Sequence, residues 1–394
     1  MKYIMSRSCK AYIAGVYEHP TRKAVDKTVP QIIAEVSLGA LKDAGLTMAD
    51  VDGYFCDSVV PGLGGMSMAE YMGLDLTHTD CTETGGSSYV VHVGHAVQAI
   101  AAGKCKVALV TLAGRPRAEG LATLGARDHG GELPERGFEI PYGPAVTNLY
   151  AMAAMRHMYE YGTTSEQLAW IKVAASHHAQ HNELAVLRDV VTVDDVVNSP
   201  MIADPLHRLD CCVISDGGGA LVIVAPEIAK SLGDRCVKVL GHGEAIKHLN
   251  SGNFDLTHTG AAKSGPIAFA EAGLTPADMD YASIYDSFTI TVLETLEDLG
   301  FCEKGQGGKF VADGNLISGV GKLPFNTDGG GLCNNHPNNR GGMTKVIEAV
   351  RQLRGEAHPK VQVPDCTLAL AHGTGGQIST RHGSSTVILG RNDA

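Results

Sequence analysis

Two histidines and one tyrosine lie in sequence settings where proton transfer is a common role. His336 lies in the glycine-framed loop 329–342 (GGGLCNNHPNNRGG), and His372 lies in AHGTGG, where a predicted strand gives way to a loop. Tyr285 begins the segment YDSF, between a predicted strand and a predicted helix. A neutral imidazole donates to a carbonyl oxygen that gains charge, and a buried tyrosine can donate a proton. The alternatives are a loop histidine without a role and a strand-end histidine bonded to the backbone.

A polar loop, residues 79–88 (TDCTETGGSS), directly precedes a predicted helix. Backbone N–H groups at a helix start point at whatever lies above it, so this loop can bind an anion or a developing oxyanion. The glycines after His372 offer similar backbone contacts. The predicted oxyanion-binding positions are Gly85, Gly86, Ser87, Gly375 and Gly376. The alternative for the first loop is ordinary helix capping by Ser87 or Ser88.

Two polar residues beside the acid–base candidates complete the predicted site. Asp286 follows Tyr285 in the chain, and Asn335 precedes His336. Both are therefore predicted to contact substrate. Asp286 or Ser287 can instead cap the helix that follows them, which is a structural role.

The elements that carry these loops alternate between helix and strand. Apolar residues three and four positions apart predict helices over 29–44, 90–102 and 344–353. Residues 106–112 (KVALVTL) and 367–371 form apolar runs without alternation, which is typical of strands covered on both faces of a sheet. Strands and helices in this order predict an α/β fold built from βαβ units.

The sequence shows a weak internal symmetry. The segment 106–114 (KVALVTLAG) is similar in type to 366–376 (CTLALAHGTGG), and 217–225 (GGGALVIVA) is similar to 383–390 (GSSTVILG). Two similar halves predict a duplicated core with a site at the seam between them. We predict three parts: residues 1–120 with 200–230 as the first half, 121–199 as a loop or lid insertion, and 235–394 as the second half.

Composition excludes several classes of function. The chain has 394 residues, 44% hydrophobic and 19% charged, with a net charge of −11 and no basic cluster. It is a poor candidate for binding nucleic acid or an anionic membrane, and no apolar run predicts membrane insertion. The ten cysteines include no CxxC pair, so we predict no metal site and expect reduced thiols in the cytoplasm.

The ordered set of motifs resembles the thiolase superfamily over nearly the whole chain. The matching segments are AEVSLGALKDAGLTMADVDGYF, LDCCVISDGGGALVIVA, YDSF, NNHPNNRGG and HGTGG. They are most similar to the sterol-carrier-protein-x or lipid-transfer-protein branch. The resemblance implies an α/β thiolase fold, in which two duplicated βαβαβαββ halves form five αβαβα layers with an inserted loop domain.

The chain departs from that family at the nucleophile. A thiolase uses a cysteine in a CxSG loop, which the GHP histidine and a second cysteine in CxGGG activate. The resemblance places His336 at the GHP histidine and His372 at the second cysteine. The nucleophile position falls on Gly86 or on Thr82, depending on the alignment, and Cys81 lies beside it. Cys81 and Thr82 are therefore candidate nucleophiles, whereas a buried strand-end role is the alternative for Cys81.

The missing nucleophile changes the expected chemistry, because an acyl-enzyme is difficult to form without a thiolate. Thiolase-like steroid side-chain aldolases also lack the nucleophile, and a tyrosine occupies their YDSF position, as Tyr285 does here. A second tyrosine acts in those relatives near the place of His336. The resemblance implies retro-aldol cleavage of a 3-hydroxyacyl-CoA, from a lipid or steroid side chain, through a thioester enolate.

Two alternative functions stay open. The first is a thiolase or acetyl-CoA acyltransferase that uses Cys81 or Thr82, and the second is a non-catalytic acyl-CoA-binding subunit. The resemblance also implies a homodimer and an OB-fold partner protein of the DUF35 type. Coenzyme A would enter as the thioester substrate, and no cofactor is expected.

Overall fold

The computed structural model describes residues 9–120, 139–248, 255–337 and 340–393. The predicted boundaries at residues 1, 121 and 394 lie outside these ranges. The strands are β1 (Tyr12–Glu18), β2 (Gly53–Phe55), β3 (His78–Asp80), β4 (Val107–Gly114), β5 (Met201–Ala203), β6 (Leu206–His207), β7 (Gly217–Val224), β8 (Val237–Lys247), β9 (Tyr281–Ile284), β10 (Leu368–Gly376) and β11 (His382–Gly390). The helices are α1 (Val29–Ala44), α2 (Gly65–Met72), α3 (Ser88–Ala101), α4 (Val146–Tyr161), α5 (Ser165–Ala179), α6 (Val193–Val197), α7 (Pro226–Leu232), α8 (Ala261–Ala272), α9 (Thr289–Asp298), α10 (Gly307–Val311), α11 (Gly330–Cys333) and α12 (Gly342–Arg354).

In the described ranges, nine strands form one mixed sheet in the order β3-β2-β4-β7-β1-β8-β11-β10-β9. The first five strands belong to one half of the fold and the last four to the other. The halves join where β1 pairs with β8, at Tyr12–Lys238 and Ile13–Val237. In each half the order of strands is equivalent, with β4 and β7 in the first corresponding to β10 and β11 in the second. These are the four segments that the internal symmetry predicts.

The helices form layers around and between the two half-sheets. α3 packs against β2, β4 and β7 on one side and against β8, β10 and β11 on the other, and α12 is enclosed in the same way. α1 covers the outer face of the first half, while α8 covers that of the second. The layers therefore follow the predicted αβαβα order. α4 and α5 pack on α9 in the second half, and the division of the chain at the predicted boundaries stays a prediction.

Among its described residues, the second half has one strand fewer than the predicted βαβαβαββ pattern. The position that corresponds to β3 holds a single parallel bridge between Ala282 and Phe325. Pro324 precedes the bridge and has no N–H to donate, and Asn326 follows it with a φ of 41°. An extended run cannot continue through a left-handed residue, so pairing stops after one residue.

The strand that carries His372 is longer than predicted. Its glycine-rich end, residues 372–376, continues β10 and pairs with residues 382–386 of β11. The expected transition to a loop at His372 is therefore wrong. Neighbouring strands hold this segment extended although glycine has a low strand preference.

The starts of α3 and α12 touch at two glycines. A Cβ on Gly342, the first residue of α12, would overlap with the carbonyl oxygen of Gly86. The starts of these helices can approach so closely only because Gly342 carries no side chain. The contact fixes how the two central helices meet between the sheets.

We expect the substitution Gly342→Ala to destabilise the fold by about 3 kcal/mol or more, because its methyl group displaces backbone rather than a flexible side chain. Gly355→Ala, just past the other end of α12, is the matched control. Its Cβ would meet no atom within 4 Å, and its φ of 70° alone carries a cost of about 1 kcal/mol. Urea unfolding of both variants measures the difference, and equal losses would contradict the close contact.

Candidate active site

Tyr285 and His336 form a hydrogen-bonded pair at the seam between the halves. Tyr285 directly follows β9, and its hydroxyl lies 2.6 Å from Nε2 of His336. The backbone N–H of His336 donates to Oγ of Ser215 over 2.9 Å. This bond holds the loop that carries His336, here called the histidine loop, against the segment that leads into β7. Both side chains are buried. The structure thus brings together two of the three predicted acid–base residues.

Burial sets the protonation states of the pair. It raises the pKa of Tyr285 well above its usual value of 10. Burial, with Lys345 nearby, lowers the pKa of His336 to about 3. The resting pair is therefore a neutral phenol beside a neutral imidazole, and both shifts oppose a separate transfer of the tyrosine proton to the imidazole in the free protein.

Cys212 lies on the other side of His336, and the sequence analysis did not select it. Its Sγ is 3.6 Å from Nδ1 of His336, and its backbone N–H donates to the Ser287 carbonyl. The Gly341 N–H donates to the Tyr285 oxygen. We therefore assign the tyrosine proton to the bond with Nε2, so that Nδ1–H donates to the sulfur. The doublet of cysteines in LDCCVISDGGG was the available signal.

The ring of Tyr285 occupies the space that a side chain at position 86 would need. A Cβ on Gly86 would lie 2.6 Å from Cε2 of Tyr285 and 2.6 Å from the Thr374 carbonyl oxygen. Gly341, before α12, also faces the ring. The starts of α3 and α12 thus meet beside the phenol, and the partial positive charges of both helix starts favour an anion there.

Arg340 links the loop before α12 to the loop before α3. Its guanidinium lies 2.9 Å from Asp57 and 2.8 Å from Glu83, and Tyr89 donates to the same Asp57 carboxylate. Burial disfavours the charged guanidinium, but Tyr89, Asp57 and Glu83 outweigh it and raise the pKa of Arg340. This partly buried cluster holds both helix starts in register around Tyr285. The sequence analysis missed Arg340, because it interpreted the segment 329–342 only as a glycine-rich loop around His336.

Asp286 binds α11, the short helix that precedes His336. Its carboxylate accepts from the backbone N–H groups of Gly331 and Leu332, at 2.7 and 3.1 Å, and from Lys345 at 3.2 Å. The oxygens of this buried side chain are engaged by α11 and α12. The structure therefore gives Asp286 a positioning role rather than the predicted substrate contact, and the helix it caps is α11 instead of α9.

Asn335 is buried next to His336. Its Nδ2 donates to Glu18 of β1, and its Oδ1 has no partner among the described residues. The contact with substrate that the sequence predicts for Asn335 stays a prediction.

The glycine-rich segments of the two halves pack against each other. Gly375 lies against the carbonyl of Thr84 and the Cα of Gly85, and a Cβ on Gly376 would overlap with the Arg381 carbonyl. Ser87 donates through Oγ to the Thr84 carbonyl at 2.7 Å, so this serine does not cap α3 through its side chain. The structure thus gathers the predicted oxyanion-binding glycines near the start of α3, while their role stays a prediction.

His372 points away from this site. Gly373, the next residue in β10, faces Val90 of α3, and successive side chains of a strand point to opposite faces. The Nδ1 of His372 instead lies 2.9 Å from Oγ1 of Thr386, which bonds to Ser264 of α8. His372 therefore does not meet His336, in contrast with the prediction. A shift of one residue along a strand moves a side chain to the opposite face of the sheet. Gly373, rather than His372, therefore faces α3.

Neither predicted nucleophile contacts the Tyr285–His336 pair. The Oγ1 of Thr82 donates to Asp80 over 2.5 Å, and the hydrogen bond from His95 lowers the pKa of Asp80 to about 2. So acidic a carboxyl group is a weak base for activating a hydroxyl. Cys81 is exposed rather than buried, with its sulfur 3.5 Å from that of Cys56.

The described part of the chain contains no group of three or more His, Cys, Asp or Glu side chains placed to hold a metal ion. Within those same ranges, no helix has both the length and the apolar composition to cross a lipid bilayer.

Comparisons with known proteins agree with this fold. A family profile described as "Thiolase C-terminal domain-like" matches residues 243–391. The chain is 33% identical over 379 residues to an acetyl-CoA acetyltransferase of Methanothermobacter thermautotrophicus, across 92% of this chain and 96% of that protein. It is 35% identical over 358 residues to a steroid side-chain-cleaving aldolase of Thermomonospora curvata, across 88% and 90% of the two chains. The solved structure "Ltp2-ChsH2(DUF35) aldolase" superposes with a TM-score of 0.86 at 33% identity, covering 97% of this chain and 98% of that one.

The duplicated α/β fold and these relatives together define a thiolase-type enzyme. The chain belongs to the thiolase superfamily, and the resemblance to its steroid side-chain aldolase members is confirmed.

Buried neutral histidines predict acid sensitivity of the fold. Burial lowers the pKa of His336, His372 and His382 to about 3 each, against about 6.5 in an unfolded chain. Below pH 6.5 the unfolded chain binds protons that the folded protein does not bind. The free energy of unfolding should therefore fall with decreasing pH, by up to about 1.4 kcal/mol per pH unit for each histidine.

Urea unfolding between pH 6.5 and pH 5 measures this slope. The variant His372→Gln should show a slope smaller by about one bound proton than the parent protein. An unchanged slope would contradict a neutral His372 in the folded state.

Proposed function

We propose that this enzyme cleaves a carbon–carbon bond of a 3-hydroxyacyl-CoA by a retro-aldol reaction, without a covalent acyl-enzyme. The observation that carries the proposal is the 2.6 Å bond between Tyr285 and His336, with the tyrosine ring beside a glycine at position 86. The pair thus lies beside Gly86, one of the two aligned nucleophile positions, and neither Gly86 nor Thr82 is a cysteine.

The reaction needs a base for the 3-hydroxyl group and an acid for the product enolate. Tyr285 accepts the proton of the substrate hydroxyl group while it passes its own proton to His336, so that no separate phenolate forms. The bond between C2 and C3 then breaks, and a ketone or aldehyde leaves. The electron pair of the broken bond stays on C2 and forms the enolate of the shortened acyl-CoA. The imidazolium returns its proton to C2 through Tyr285. Atoms and charges balance, and no cofactor takes part.

The surrounding backbone favours the enolate. The starts of α3 and α12 meet at Gly86 and Gly341 beside the phenol, which places the positive ends of two helices near the developing oxyanion. We propose that backbone N–H groups of the predicted loops bind the thioester oxygen. The coenzyme A ester is the substrate in this scheme.

The names of the relatives support this choice of reaction and partner. One is a steroid side-chain-cleaving aldolase, and one superposed structure pairs an aldolase with a DUF35 protein. We propose that this chain acts on a lipid or steroid side chain, as a homodimer with a DUF35-type OB-fold partner, in the cytoplasm.

Acyl transfer is the second candidate, and two observations favour it. An acetyl-CoA acetyltransferase is 33% identical to this chain, and the Cys212 sulfur lies 3.6 Å from His336. However, burial is the main cause that raises the pKa of Cys212 well above its usual value, and a thiol is a poor nucleophile compared with its thiolate. The third alternative, a non-catalytic acyl-CoA-binding subunit, gives no role to the buried Tyr285–His336 pair.

Tyr285→Phe tests the acid–base assignment. The loss of the hydroxyl should lower kcat for cleavage about 10²- to 10⁴-fold with little change in KM, because the ring is kept and the proton transfer is removed. The assay measures aldehyde or ketone release from a panel of 3-hydroxyacyl-CoAs, with a DUF35 partner present.

Tyr281→Phe is the matched control on the same face of β9. Its hydroxyl bonds to Thr327 in the core, so kcat should stay within a few-fold of the parent value. Equal losses in both variants would refute the specific role of Tyr285.

Intact-protein mass spectrometry separates the two candidate reactions. After incubation with acetyl-CoA and longer acyl-CoAs, the non-covalent mechanism predicts no acyl adduct and unchanged cleavage by Cys81→Ser. Cys212→Ser, which keeps a hydrogen-bond acceptor for His336, should retain more activity than Cys212→Ala. A stable adduct on Cys212 or Cys81 would establish acyl transfer instead.

A further inference from the structure

Cys56 and Cys81 form a close pair of thiols outside the proposed proton-transfer pair. Cys56 follows β2 and Cys81 follows β3, two parallel strands in which Phe55 pairs with Asp80. The cysteines are therefore at the next equivalent position along the two strands. Their sulfur atoms are 3.5 Å apart.

The backbone geometry suits a covalent bond between them. Neighbouring strands lie about 4.8 Å apart, and disulfides join residues whose Cα atoms are about 4.4–6.8 Å apart. The backbone N–H of Cys56 donates to the Asp80 carbonyl at 3.1 Å, which holds the strand ends together up to this position. The bond would form by rotation and a small approach of two side chains rather than by a rearrangement of the sheet.

The two thiols differ in access. Cys81 is exposed, and its sulfur lies against Gly64 and Gly65 at the start of α2. Cys56 is 0% exposed. An oxidant in solution can therefore reach one member of the pair, and the other is held in position to react second.

We propose that Cys56 and Cys81 are a thiol–disulfide exchange site that takes a low-molecular-weight disulfide such as oxidised glutathione. Cys81 attacks one sulfur of the reagent, whose S–S bond breaks, and the first glutathione leaves as a thiolate. Cys56 then attacks the sulfur of Cys81, and the second glutathione leaves. Two protein thiols are oxidised to one disulfide, and one glutathione disulfide is reduced to two thiols.

The second step is favoured by proximity. Burial is the main cause that raises the pKa of Cys56, which lowers its thiolate fraction and slows its attack. The sulfur contact of 3.5 Å with Cys81 offsets this loss. A thiol held next to a mixed disulfide also reacts at a high effective concentration.

The pair lies beside the partly buried arginine cluster. Asp57 directly follows Cys56, Glu83 is two residues beyond Cys81, and both carboxylates bind Arg340. Oxidation would thus cross-link the two loops that hold this arginine. The inference does not depend on which reaction the enzyme catalyses.

The test uses the folded protein and oxidised glutathione, without substrate. The expected product has lost two hydrogens, keeps no glutathionyl group, and yields a Cys56–Cys81 cross-linked peptide that dithiothreitol removes. In Cys56→Ser the reaction should stop with one glutathionyl group on Cys81. In Cys81→Ser neither position should react, because Cys56 is buried.

Two outcomes would overturn the proposal. One is a parent protein in which Cys81 stays unmodified at reagent concentrations that modify the same thiol in the urea-unfolded chain. The other is a mixed disulfide on Cys81 that Cys56 does not resolve. Circular dichroism of both serine variants confirms that each is folded before it is compared.

Discussion

The close approach of two helix starts is the constraint on which the rest of the structure depends. Gly86 and Gly342 allow α3 and α12 to touch between the half-sheets, and Tyr285 fills the remaining space beside them. A side chain at position 342 would push the helix starts apart, and one at position 86 would displace the ring of Tyr285. The layers, the burial of the acid–base pair and the convergence of two helix dipoles therefore have the same cause.

Buried charges hold this arrangement in place. Arg340 ties Asp57 of the first half to the loop of Glu83, and Lys345 ties Asp286 beneath the histidine loop. Each ion has its partner, as burial of charge requires. The charges surround His336 and Tyr285 without ionising them, so the reactive groups stay neutral among fixed ions. That division of roles suits a site that moves protons and stabilises an anion only during the reaction.

Much of the fold could be predicted from the sequence, because the spacing of apolar residues and the glycines that end helices are local signals. α1 lies where its apolar spacing predicts it, and the repeated strand types correspond to equivalent strands in the two halves. The side of the sheet that His372 faces could not be read from the sequence. AHGTGG gives no alternation of polar and apolar side chains, so the register, and with it the face, is set only by pairing with β9 and β11. Arg340 and Cys212 join the site through contacts distant in sequence, and the cysteine doublet does not by itself indicate that Cys212 reaches His336.

The seam between the halves has a consequence for how the chain could be divided. β1 and β8 meet over a short stretch, yet α3 packs on strands of the second half and α12 on strands of the first. A cut in the connection between β7 and β8 would leave two fragments, each with a bare apolar helix face that only the other can cover. Tyr285 and His336 would be in one fragment, and Gly86 would be in the other. Each duplicated unit thus needs the other to cover its helix, and a single copy of the repeat holds half of the proposed catalytic centre.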